Sequence, residues 1–105
     1  MTFKISSELQ AADAGTIRGH VREIACKCWF NRKGEGIPLM IKLEDEEGMI
    51  QTIREINVRY CEQKTYSGIP SIEYDCEIIW KGICREVKLI FLQEECRWVM
   101  TEEKR

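Results

Sequence analysis

The chain has 105 residues, 44% of them apolar and 32% charged, with a formal net charge of −2. That balance is too apolar for a disordered chain, and the length suits one domain, expected to span residues 1–105. The slightly acidic charge argues against wrapping nucleic acid by overall charge, and no run of about 18 apolar residues offers a membrane-spanning helix.

Residues 1–15 show no basic stretch followed by an apolar one, so no signal peptide is expected. The six cysteines then read as reduced thiols of a cytoplasmic protein, several of them serving as small buried hydrophobes.

Residues 6–14 carry the marks of a short helix: Ser6 or Ser7 as N-cap, Glu8 in the first turn and Gly15 at the stop. From Thr16 the period changes to two. Ile17, Gly19 and Val21 share one face, and Arg18, His20 and Arg22 the other. Ile24, Cys26, Cys28 and Phe30 have the opposite parity, so a bulge near Arg22–Glu23 is expected to return them to the core. A turn follows at 31–36. In the next strand Ile37, Leu39, Ile41 and Leu43 alternate with Pro38, Met40, Lys42 and Glu44.

After the acidic loop 44–48, residues 49–66 read as a strand with a slip near Arg54. Residues 67–71 read as a loop. Ile72, Tyr74, Cys76, Ile78 and Trp80 then form the clearest strand face in the chain. Lys81–Gly82 fits a two-residue hairpin turn, answered by Ile83, Arg85, Val87, Leu89 and Phe91. Residues 93–95 turn, Cys96 to Met100 makes a last short strand, and residues 101–105 read as a frayed tail. The sum is an all-β fold with one short N-terminal helix. About six antiparallel strands form a meander, as a coiled sheet or small barrel.

Chemistry-bearing patterns are sparse. Cys26 and Cys28 sit two apart and face one way on a strand. They lack the knuckle spacing of structural zinc sites, and the other cysteines fall singly, so no metal is expected. His20 is the one histidine, with Cys26 or Cys28 as its nearest thiols and no nucleophile signature around them; no catalytic residue is expected. The loop Glu44–Gly48 lacks the spacing of a calcium loop, and no glycine-rich nucleotide cradle occurs, so no cofactor is expected.

Two surface sets remain. Arg18, Arg22, Lys27, Arg32 and Lys33 form the basic stretch, with Trp29 inside it, the combination used by single-strand nucleic-acid binders. Strand 37–43 is poorly guarded by charge, so Leu39, Met40 and Lys42 are the expected contacts of a homodimer that pairs or packs there.

Residues 66–98, through the run Tyr66, Gly68, Pro70 and Tyr74 and the closing Cys96, Arg97 and Trp98, resemble small β proteins encoded on bacterial mobile elements. The resemblance implies no activity and transfers no functional residue. The expected role is a non-catalytic binding or accessory module that works through protein–protein contact. The alternative is a nucleic-acid-binding module using residues 18–33; an enzyme comes third.

Overall fold

The computed structural model describes residues 13–102. These residues form strands and no helix: β1 (His20–Phe30), β2 (Gly36–Glu44), β3 (Ile50–Ile53), β4 (Ile56–Tyr66), β5 (Ile69–Trp80), β6 (Ile83–Leu92) and β7 (Arg97–Glu102). The helix expected over 6–14 falls outside the described residues except for Asp13 and Ala14, which are not helical.

All seven strands join one antiparallel sheet in the order β3-β2-β1-β7-β6-β5-β4, curled into a half-barrel. This departs from a simple meander in two ways. The first and last strands pair, from His20 opposite Glu102 to Ile24 opposite Trp98. β3 and β4, adjacent in sequence, lie at opposite edges. The slip expected near Arg54 is the corner between them. Only Arg54 and Glu55 separate the two, so residues 50–66 run as one bent strand that leaves β2 and joins β5. The Ile79 N–H donates to the Glu55 carbonyl and fixes the corner against β5.

The bulge expected near Arg22–Glu23 is absent. Arg22, Ile24, Cys26, Cys28 and Phe30 share the inner face without a break. The slip lies in β2 instead. Lys27 pairs with Met40 but Cys28 pairs with Pro38, which leaves Leu39 as the extra residue. Proline has no N–H to give to a ladder, so an irregularity beside it sacrifices little. The bulge turns Ile37 and Leu39 outward, while Pro38, Ile41 and Leu43 are buried. The expected alternation therefore holds only for its second half.

The expected loop at 67–71 is also shorter. Ser67 and Gly68 alone make the turn, both with positive φ (50° and 82°), and Tyr66 pairs directly with Ile69. Lys81–Gly82 makes the second such turn, as expected (φ 56° and 73°). Two left-handed residues match the twist of the flanking strands, which is why such short turns close these long hairpins. β7 begins at Arg97, after a turn over 93–96, and extends through Glu102, so Thr101 and Glu102 are sheet rather than tail.

The inner face carries the main core. It includes Tyr74, Cys76, Ile78 and Trp80 from β5, Val87 and Leu89 from β6, and Trp98 and Met100 from β7. Ile41, Leu43 and Ile53 close it from β2 and β3. A second, smaller cluster lies on the outer face: Tyr66, Ile90, Leu92 and Val99, with Ile17 packed on it. The segment before β1 holds Ile17 there. Ala14 N–H donates to the Thr65 carbonyl (2.7 Å), and Thr101 donates its hydroxyl to the Arg18 carbonyl. Asp13 accepts from the N–H groups of Gly15 (2.6 Å), Ser67 (3.0 Å) and Gly68 (2.6 Å).

Those donors, with Gly15 and Gly68 foremost, hold the Asp13 carboxyl below the usual carboxylate range. A depressed folded pKa adds stability that is complete above the unfolded value, about 4, and is lost as pH falls through the folded value. Amide exchange at Ala14, whose N–H is bonded to the Thr65 carbonyl, corrected for intrinsic rate, is expected to quicken as pH drops below about 4. Asp13→Asn should show the quickened rate at neutral pH; protection indifferent to both would remove this carboxylate as the clasp.

Inner-face burial sets a second expectation. Cys76 and Trp80 are both buried (0% and 4% exposed). Trp80→Ala should cost about 3–5 kcal/mol and Cys76→Ala about 1–2 kcal/mol in denaturant melts. Unchanged midpoints in both variants would show that this face of β5 is not the core.

Candidate functional site

The outer face of the β1–β2 hairpin is built by its register. Cross-strand partners share a face, so Trp29 with Ile37, Lys27 with Met40 and Ala25 with Lys42 form one outward surface. Trp29 is 62% exposed, Ile37 51% and the bulged Leu39 44%. Asn31 shapes the turn above them. Its side-chain oxygen accepts from the Lys33 and Glu35 N–H groups, both at 2.9 Å, and its amide donates to the Glu35 carboxylate at 2.7 Å. Arg32 and Lys33 stand exposed in that turn.

The structure therefore merges most of two separately expected sets. Lys27 and Trp29, from the basic stretch, share a surface with Met40 and Lys42, with Leu39 bulged outward beside them and Arg32 and Lys33 at its tip. Arg18 and Arg22 do not belong to it. The Arg18 backbone is tied to Thr101 at the start of the sheet, and Arg22 points into the half-barrel. Strand 37–43 is not a wholly free edge, because β3 pairs with Ile41 through Glu44. The part beyond that ladder, residues 36–40, contains both Pro38 and the bulge.

His20 and the cysteines are not assembled. His20 starts β1, opposite Glu102. Cys26 follows six residues later, about 20 Å along an extended chain. Inside the half-barrel, Cys26, Cys28 and Cys76 lie near one another and near Tyr74. Burial pushes the Cys26 thiol up to about 12, with Cys28 and Cys76 adding to the effect, and burial likewise raises Cys76 to about 12. Burial raises Cys28 too, opposed by a backbone hydrogen bond from Ile37. Cys61, Cys84 and Cys96 are exposed. Among the described residues no group of three or more His, Cys, Asp or Glu side chains is placed to hold a metal ion.

Two charged arrangements escaped the sequence reading. Glu73, which alternates with the core residues of β5 and so lies on the opposite face of the sheet, is nonetheless only 1% exposed. It receives the Tyr66 hydroxyl and pairs with Lys64 (3.4 Å) and Lys88 (3.6 Å). The turn at Lys81–Gly82 contained a usable signal, since it sets Asp75 opposite Lys88 and brings Glu73 diagonally within reach. What buries Glu73 is the outer cluster, which periodicity does not reveal.

The second arrangement closes the end of the half-barrel formed by the start of β1 and the turn between β5 and β6. Trp80 lies beneath the guanidinium groups of Arg85 (4.5 Å from the ring centre) and Arg22 (5.2 Å), with the Lys81 ammonium at 5.7 Å. Cations over an indole face are attracted by its electron-rich surface.

No protein-family model matches the chain, and no curated protein and no solved structure is detectably similar to it.

The thiols offer a direct check of this geometry. Only the thiolate attacks a disulfide reagent, and a thiol with a pKa near 12 is about one part in ten thousand ionised at pH 8. Cys61, Cys84 and Cys96 are expected to react quickly with a disulfide reagent in native protein, Cys28 more slowly, and Cys26 and Cys76 only on unfolding. Fast native labelling of Cys76, read by peptide mass mapping, would contradict its placement.

Proposed function

We propose that the chain is a non-catalytic binding module whose contact surface is the outer face of the β1–β2 hairpin, and that its occupant is a protein partner. The observation that carries this reading is the solvent-exposed pair Trp29 and Ile37, set opposite each other on a hydrogen-bonded hairpin and extended by Leu39. An isolated exposed apolar residue needs no explanation, but several on one rigid surface expose area that a partner can bury. Tryptophan flanked by aliphatic side chains suits the centre of a protein interface, where a few large residues carry most of the binding energy.

Lys27 and Lys42 frame the apolar surface, and Arg32 and Lys33 stand at its tip. The fitting partner presents an apolar anchor rimmed by carboxylates. Two copies meeting face to face would bring lysines against lysines, so this surface favours a different chain over a second copy. Edge pairing of two copies through residues 36–40 meets the proline and the bulge.

Nucleic acid is the second reading, favoured by Trp29 beside Lys27, Arg32 and Lys33. Ile37 and Leu39 flank the indole with aliphatic groups, which fill a protein pocket but give no platform for successive bases. With Arg18 and Arg22 placed elsewhere, the basic track is short.

Proteins retained by the immobilised chain from its source lysate should be lost in parallel from Trp29→Ala and Ile37→Ser columns. The identified partner should bind the Trp29→Ala protein about thirtyfold more weakly, the loss expected for an interface hot spot. Binding should survive half-molar salt, whereas a phosphate binder loses affinity steeply as salt rises. Retention equal on all three columns would overturn the reading. Tight, salt-sensitive binding of a single-stranded oligonucleotide, lost with Trp29→Ala, would replace it with the second.

A further inference from the structure

We propose that Arg22 and Trp80 form a binding site for a small oxyanion at the closed end of the half-barrel. The starting point is a pair of polar atoms. The Trp80 indole N–H and the Arg22 Nε–H are both buried and, among the described residues, neither has an acceptor. Buried donors are nearly always paired in native proteins, and an exception marks a place where a water or an ion belongs. The two residues that carry these donors are neighbours, because the Arg22 guanidinium carbon lies 5.2 Å from the centre of the Trp80 ring.

Each terminal nitrogen of Arg22 has one acceptor. Nη1 donates to the Glu44 carbonyl at 3.4 Å and Nη2 to the Glu46 carboxylate at 3.2 Å. These two acceptors hold the guanidinium in place and leave its Nε edge free of protein acceptors. Trp80 cannot move to find its own partner, because it is packed into the core and only 4% exposed.

The surroundings select the charge of the missing acceptor. Arg85 stacks on the same indole at 4.5 Å, and Lys81 lies 5.7 Å from it. Glu102 reaches Arg85 at 3.6 Å through a terminal nitrogen. Asp45, close enough to feel Lys81, is committed to its own turn. It accepts from the Glu47 and Met49 N–H groups and from the Gln51 amide, all at 2.9 Å. Glu46 and Glu102 each pair with a terminal guanidinium nitrogen and neither reaches the Arg22 Nε–H or the Trp80 indole N–H, so these two donors take an acceptor with several lone pairs, and a carboxylate or a phosphate group supplies it with a charge that suits the neighbouring cations.

The test is nuclear magnetic resonance on the intact chain, reading the Trp80 indole N–H and the Arg22 Nε–H. The indole signal is assigned by its loss in Trp80→Phe. Inorganic phosphate and acetate are titrated in turn, with sodium chloride at matched ionic strength as the control. Both signals are expected to shift saturably with the same apparent affinity, and chloride should leave them in place. Response to phosphate alone identifies a phosphoryl ligand, and response to acetate a carboxylate. Arg22→Lys, which keeps the charge but removes the Nε–H, is expected to weaken binding at least tenfold. Absence of any shift with either anion overturns the site, as does movement of one signal without the other or an equal response to chloride. Where Arg22→Lys does not fold, the paired signals of the unaltered chain decide alone.

Discussion

The pairing of the first strand with the last is the constraint on which this structure depends. β1 to β3 and β4 to β7 are two hairpin runs that local turns suffice to make. Only the ladder from His20–Glu102 to Ile24–Trp98 joins them into one sheet. It brings together residues 74 to 82 positions apart, so the chain entropy of closing that loop must be offset by core burial. That offset comes from the inner face, where Ile24 of β1 packs with Trp98 and Met100 of β7.

The same ladder determines what Arg22 does. Opposite Met100, its side chain is delivered to the inner face, where a guanidinium has no place except against an aromatic surface or an acceptor. Trp80 supplies the surface, and Glu44 and Glu46 supply two acceptors. A charged residue is thereby used to cap an apolar core at its open end, with Arg85 arranged likewise on the same ring. On the other side of the sheet, Glu73 is buried on comparable terms, paired with two lysines and a tyrosine rather than left as an isolated charge. Charge on this protein thus serves packing in two places, while the apolar Trp29, Ile37 and Leu39 stand in solvent.

Parts of this arrangement were legible residue by residue. The alternation Ile72, Tyr74, Cys76, Ile78, Trp80 and the Lys81–Gly82 turn identified β5, its core face and its partner β6, because a two-residue turn fixes register without help from the rest of the chain. The break near Arg54 was visible as a change of phase, but a phase change does not say whether a strand bulges or bends away to the opposite edge. In β1 and β2 the same ambiguity misplaced the bulge. Arg22 was counted as outward because it is charged, and the irregularity lay instead at Leu39, an apolar residue that alternation assigned to the core. Of the proposed contact surface, Lys27, Trp29, Leu39, Met40 and Lys42 each stand out in the sequence. That they meet on one hairpin follows only from the register across it.

By itself the sequence determined an antiparallel β protein with strong hairpin turns and a core strand at 72–80, since turn chemistry and two-residue periodicity act over a few neighbours. Tertiary structure decided which strands lie at the edges, which end of the half-barrel is capped by Arg22 and Trp80, and why Glu73 is buried. Those outcomes depend on β1 meeting β7 and on the outer cluster meeting the segment before β1, and contacts between residues so far apart leave no periodic trace in the chain.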